Sequence, residues 1–254
     1  VFFLLLFCAI MSGVFTLGKQ ATLYASPFFL TGIRITIGGL YFLVYQFMTD
    51  RKKFYLKKSW LPLLVCYSVC IFIMDSFRLV ALAHIASSHA ALIATTAPFF
   101  AAFFSWLIFK ESLSLKKLFA LTLGVAGVVP LLLPHVTQVE ASFSGLVYYI
   151  LILFSTMAFV IGGMSSKMLS QKGIPFFMLV GSVMTGGGIL GFIASLFFES
   201  WYPVPVTNFI HAARIIVYLV ITQSLIAYPL YNYLLTIYPI TLVACAQLIV
   251  PFFT

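Results

Sequence analysis

The chain has 254 residues; 63% are hydrophobic and 7% are charged. A water-soluble domain carries roughly 25% charged residues, so this chain cannot cover a solvated surface, and soluble enzymes and binding modules are excluded. The formal net charge of +9 is not a nucleic-acid signal, because the charges lie in short corners between apolar runs, where a positive-inside bias places them.

The apolar runs are about twenty residues long, enough to cross a hydrocarbon core about 30 Å thick. In lipid the backbone must satisfy its own hydrogen bonds, which leaves helices or a closed barrel. Barrel strands alternate with period two over about ten residues, and these runs do not. The sequence therefore predicts an all-α polytopic membrane protein.

Nine segments follow in order. Segment 1 is Val1 to Gly18, ending at Lys19, and segment 2 is Pro27 to Met48. A basic corner with Arg51, Lys52, Lys53, Lys57 and Lys58 leads to segment 3, Trp60 to Ala83. Segment 4, Ser88 to Phe109, holds Pro98 in its middle, a residue that interrupts a helix. The Lys110-Glu111 to Lys116-Lys117 corner leads to segment 5, which starts at Ser114, a suitable N-cap, and stops near Leu133. A polar connection follows to Ser144. Segments 6 and 7 are Gly145 to Met168 and Pro175 to Phe198. A loop from Glu199 to Ala212 precedes segment 8, Ala213 to Ile237. Segment 9 starts near Ile240 and runs to the end of the chain. With the N-terminus inside, the inner corners collect ten of the basic residues; the outer side holds Arg214, and Lys19 ends segment 1 there. This asymmetry predicts a cytoplasmic N-terminus.

An internal repeat runs through these segments. At an offset of 148, Pro27-Phe28-Phe29 falls on Pro175-Phe176-Phe177, Gly38-Gly39 on Gly186-Gly187, and Lys19 on Lys167. At an offset of 153, Pro98-Phe99-Phe100 falls on Pro251-Phe252-Phe253, Ser88 on Thr241, Asp75 on Tyr228 and Arg78 on Tyr231. The reading is two inverted five-helix repeats, 1–134 and 142–254, the second cut within its fourth helix, so that a ten-helix fold lacks its last helix. An odd number of spans per repeat inverts the second copy. Inverted repeats place a solute site near the midplane and allow alternating access.

The run A-L-x-H-I-A-S-S-H-A-A-L-I-x(4)-P from Ala81, then K-E-S-L-S-x-K-K from Lys110 and G-V-A-G-V from Gly124, resembles the first-repeat signature of the EamA-like transporters of the drug/metabolite transporter superfamily. The stretch Pro27 to Arg34 fits the same pattern. The resemblance implies ten helices, both termini inside, and a central cavity lined mainly by helices 1, 3, 4, 6, 8 and 9. It implies transport of small metabolites such as amino acids and related amines. The second counterpart of Glu111 and the tenth helix are absent from this sequence.

Ionisable groups inside a membrane are costly and mark function by default. Arg34, Asp75 and Arg78 are three such groups, and Asp75 and Arg78 share a helix face at i, i+3 spacing. Two readings stand for them. In one, Arg78 or Arg34 meets a carboxylate of the solute and Asp75 meets an amine or a coupling proton. In the other they form an internal salt bridge. Segment 8 offers Tyr228, Tyr231 and Asn232, with Pro229 interrupting the helix, and an aromatic wall suits a zwitterion or organic cation. Thr95 precedes Pro98, and Gln247 falls opposite Ala94; these polar groups either repair the broken helix or bind solute. Glu111 reads as half of a corner ion pair with Lys110. Cys8, Cys66, Cys70 and Cys245 read as packing residues, with no ligand spacing for a metal.

The sequence thus predicts a secondary transporter, not an enzyme, of a bacterial inner membrane. Its cargo class is amino acids, amines or a related cation such as S-adenosylmethionine. No ATP-binding motif is present, so a coupling proton or an exchanged solute drives it, and no cofactor, metal or nucleic acid is called for; membrane lipids are its surroundings. Two other classes are a membrane-embedded enzyme acting on a lipid headgroup, for which His84, His89 and Asp75 are the candidate cluster, and a structural or assembly protein in which the charges pair helices.

Overall fold

The computed structural model describes residues 2–110, 119, 122, 143–202 and 204–253. Segment 5, Glu111 and the polar connection after Leu133 fall largely or wholly outside the described residues.

Among those described, every named element is helical. They are α1 (Phe2–Thr22), α2 (Pro27–Thr49), α3 (Leu61–His84), α4 (Ser87–Ala94), α5 (Ala97–Phe109), α6 (Phe143–Gln171), α7 (Phe176–Phe198), α8 (Phe209–Leu219), α9 (Tyr228–Ile237) and α10 (Ile240–Ala246). A π-helical segment, Val220–Ala227, joins α8 to α9, and a 3-10 turn, Gln247–Phe253, extends α10. Among the described residues, seven helical stretches are long and apolar enough to cross a membrane. Large apolar side chains such as Met48, Phe197 and Phe198 point outward, as they do where lipid is the solvent. The protein is a multi-pass integral membrane protein.

Two expected boundaries move outward. The first helix continues past Lys19 to Thr22, and the helix of segment 8 begins at Phe209, capped by Asn208, whose side chain accepts from the His211 N–H. Arg214 therefore lies in the second turn of this helix rather than at its start. Segment 4 is not one helix. It breaks into α4 and α5 at Thr95–Thr96, just before Pro98. The Thr95 and Thr96 hydroxyls donate to the carbonyls of Leu92 and Ile93, so these side chains repair the break. In segment 8 the widened turn before Pro229 has the Tyr228 N–H reaching back to the Gln223 carbonyl, a change of pitch that accommodates a residue with no N–H to give.

α2 packs most extensively against α7, and α3 against α6. The α2–α7 pair runs on glycine. A Cβ built on Gly39 would lie 2.5 Å from the backbone nitrogen of Thr185, and one on Gly188 would lie 2.7 Å from that of Thr36. No larger residue permits so close a backbone approach. Flanking this pair, Ser224 of the π segment stands against Gly38, and Ile71 of α3 stands against Gly187.

At one end of the bundle three ties close the surface. The ammonium of Lys19 donates to the carbonyls of Ile85 at 2.6 Å and Leu82 at 3.2 Å, at the α3–α4 corner. The Glu199 carboxylate accepts the N–H groups of Phe28 at 2.7 Å and Phe29 at 2.9 Å, capping α2 from the residue that follows α7. Residues Ala25 and Val206 form an isolated antiparallel bridge.

Candidate functional site

Asp75, Arg34 and Arg78 come together. Asp75 is fully buried, and the two arginines are 4% and 7% exposed. Arg34 from α2 reaches Asp75 Oδ1 at 2.8 Å, and Arg78 from the next turn of α3 pairs with the same oxygen. The Tyr228 hydroxyl donates to Oδ2 at 2.6 Å. Asp75 is thus engaged on both oxygens in this conformation, the arrangement of the internal salt bridge that is one of its two readings. Arg78 is left with an unused donor: its buried Nε–H has no hydrogen-bond partner among the described residues. Its guanidinium lies 5.9 Å from the ring centre of Phe15.

Two small adjoining cavities occupy the centre of the bundle. One is walled by Phe7, Tyr67, Phe159, Tyr228 and Tyr231, with Gln223 as its amide. The other is walled by Phe15, Ile152, Ser155, Thr156, Ala94 and Gln247. Met11, Met74, Arg78 and Phe159 line both, and so form the waist between them. Each cavity holds about 30 Å³ of free space, room for about two water molecules.

The aromatic wall is ordered by stacking. Tyr231 lies between Phe7, at 5.6 Å, and Phe159, at 4.6 Å. Asn232 is not part of the wall. Its carbonyl accepts from Tyr67 and Ser166, and its amide donates to the Tyr228 carbonyl, so it fixes the two tyrosines. Thr95 is likewise buried in the α4–α5 break and does not line either cavity. Of the predicted residues, Arg78, Tyr228, Tyr231 and Gln247 face free space. Arg34, Asp75 and Asn232 stand behind them.

Met11, Met74, Phe159 and Tyr67 were not singled out by sequence, because each sits in an apolar run with nothing polar to mark it. The repeat offsets were the available signal. Met11 and Phe159 are 148 apart, while Cys70 and Gln223, Met74 and Ala227, and Arg78 and Tyr231 are 153 apart, and both members of each pair line the same cavity. His84 and His89 do not join Asp75. They pack on Tyr148 and Tyr149 at the corner after α3, so the cluster expected of a headgroup enzyme is not assembled. Among the described residues no group of His, Cys, Asp and Glu is placed to hold a metal ion.

A helical membrane bundle with a polar-tipped aromatic chamber at its centre is an arrangement that suits a solute carrier. The chain belongs to the EamA-like transporter family, whose model matches residues 1–133. Over its whole length it is 28% identical to proteins named S-adenosylmethionine/S-adenosylhomocysteine transporter from Chlamydia muridarum and Chlamydia trachomatis serovar L2, spanning 81% and 79% of those chains. It is also 29% identical over 202 residues to the uncharacterized transporter YvbV of Bacillus subtilis, covering 78% of this chain and 63% of that one. A solved crystal structure shares the fold, with a TM-score of 0.75 at 20% identity, covering 98% of this chain and 84% of the other. The protein is a membrane transporter acting on a small molecule.

Proposed function

We propose that the protein carries S-adenosylmethionine or a closely related nucleoside-bearing amino acid across a bacterial inner membrane, by alternating access of one central site. The observation that carries this reading is the buried chamber, in which one guanidinium faces an aromatic wall made by α1, α3, α6 and α9. A zwitterion with an extra organic cation and a flat base matches such a wall: rings take the cation and the base, and the arginine takes the acid. The names of the full-length relatives support the cargo class.

The cavities are far smaller than the roughly 300–1,000 Å³ that encloses a small-molecule ligand. Transport therefore requires one side of the bundle to open. The two inverted repeats, 1–134 and 142–254, supply the hinge for this movement. Support comes from residues at the two repeat offsets that meet at the centre: Asp75 with Tyr228, 153 apart, and Met11 with Phe159, 148 apart, at the waist. The basic residues Arg51 to Lys58 support a cytoplasmic position for the corner between α2 and α3. The driving force is an exchanged solute or a coupled proton.

The test is counterflow with full-length protein in proteoliposomes. Vesicles loaded with unlabelled S-adenosylmethionine or S-adenosylhomocysteine are expected to accumulate labelled S-adenosylmethionine transiently. No accumulation with either solute would sink the cargo assignment.

A further inference from the structure

Two guanidinia face one carboxylate in the centre of this bundle. Arg34 and Arg78 both pair with Asp75 Oδ1, and arginine stays protonated in proteins. Even with Asp75 ionised, the cluster carries at least one uncompensated positive charge. The other described carboxylates do not help. Asp50 pairs with Lys53, and Glu199 caps α2; Glu111 and Glu140 lie outside the described residues. A buried unpaired charge is expensive in a low-dielectric interior, and the ring of Phe15 offsets only part of that cost.

The excess charge has a direction. Arg34 stands behind Asp75 and touches neither cavity, whereas Arg78 lines both. The buried Nε of Arg78 has no hydrogen-bond partner among the described residues, so Asp75 leaves this guanidinium incompletely satisfied, and a small rotation of the side chain that lines both cavities would present the donor to a second anion.

We infer that Arg78 is the anchor for the carboxylate of the cargo, and that Asp75 is an internal stand-in which Arg78 exchanges for that carboxylate during each cycle. This rests on the transport reading above. The second arginine is what makes the exchange affordable. When Arg78 turns toward the cargo, Asp75 keeps Arg34 and the Tyr228 hydroxyl, and no buried carboxylate is stranded. At the 153 offset Arg78 corresponds to Tyr231, so the chamber has one anion anchor and one aromatic face rather than two equivalent ends. The cargo then binds in one orientation, acid toward α3 and cationic end toward Tyr231 and Phe159.

The inference makes a free carboxylate the first requirement for recognition. The experiment measures inhibition of S-adenosylmethionine counterflow by S-adenosylhomocysteine and by decarboxylated S-adenosylmethionine, with full-length wild type and with Arg78→Gln and Arg78→Lys. Loss of a charge-assisted bidentate contact costs on the order of tenfold or more in affinity. In wild type the decarboxylated compound should compete at least tenfold more weakly than S-adenosylhomocysteine, although it keeps the sulfonium and the adenosine. In Arg78→Gln that preference should collapse toward one, and Arg78→Lys should restore part of it. Equal competition by the two compounds in wild type, a comparison that needs no variant to fold, overturns the anchor while leaving transport of the cargo standing. A preference that survives in folded Arg78→Gln also overturns it. If wild type shows no S-adenosylmethionine counterflow, the transport reading fails and this inference falls with it.

Discussion

Tyr228 donates its hydroxyl to Asp75 Oδ2 at 2.6 Å, and the two residues are 153 apart in sequence, the offset that lays the fourth segment over the ninth. If the proposed inverted repeat holds, a residue that touches its own counterpart lies at the centre of the pair. The most buried of the described acids is thus held by α2, α3 and α9 together.

Removing the charge there should be costly. Asp75→Asn leaves two buried guanidinia facing a neutral amide, and breaking a buried pair from one side costs about 3–5 kcal/mol. Tyr228→Phe removes only one hydrogen bond to the carboxylate, worth about 1–3 kcal/mol. Thermal unfolding of detergent-purified protein should rank wild type above Tyr228→Phe and Tyr228→Phe above Asp75→Asn. An Asp75→Asn protein as stable as wild type would show that the two arginines do not depend on this carboxylate.

Glycines in one fold should differ sharply in tolerance. A Cβ on Gly39 meets the backbone of Thr185 at 2.5 Å, while one on Gly13 meets only Leu17 Cδ1 at 3.6 Å. Gly39→Ala forces α2 from α7 and should cost about 1–3 kcal/mol, the range for overpacking. Gly13→Ala should gain up to about 1 kcal/mol from helix propensity. Folded yield and melting temperature read both signs, and equal tolerance at the two sites would contradict the α2–α7 packing.

Glu199, the residue that follows α7, caps a different helix. Its carboxylate accepts the first N–H groups of α2 and also bonds Ser195, where a negative charge favours a helix N-terminus. Glu199→Ala should cost about 1 kcal/mol, as lost caps do. It should raise amide exchange at residues 28–31 and leave the distant residues 176–180 unchanged. Uniform exchange across both stretches would mean that the tie is not local.

The spans and the three buried charges were legible in the sequence, because an apolar run and an intramembrane charge are both conspicuous against lipid. What each charge does was not. Asp75 and Arg78 share a helix face whether they bind solute or each other; only the approach of Arg34 and Tyr228 from other helices decides that Asp75 is enclosed and Arg78 is free on one side. Thr95 and Gln247 had equal claims as repair or lining groups. In the fold Thr95 bonds back to Leu92 at the backbone break, while Gln247 lines a cavity. Met11 and Met74 were invisible because a cavity is made by what is missing between apolar side chains. The π segment before Pro229 was half legible: proline announced a disturbance, but not that the turn would widen.

The Lys19 tie offers a handle on opening. Its ammonium holds the Ile85 and Leu82 carbonyls and so joins α1 to the α3–α4 corner at the end of the bundle assigned to the outside. These are charge-assisted bonds in a half-buried setting, each worth about 1.5–3 kcal/mol, enough to shift a two-state equilibrium by an order of magnitude. Met74, at the waist of the two cavities, is buried in this conformation. In a background lacking Cys8, Cys66, Cys70 and Cys245, a Met74→Cys thiol should react slowly with an impermeant maleimide added from outside. Adding Lys19→Met should speed that labelling about tenfold by favouring the outward-open form, and saturating cargo should slow it again. Labelling that ignores Lys19→Met would assign the tie to corner packing alone, and faster labelling from the inside only would reverse the orientation given to the bundle.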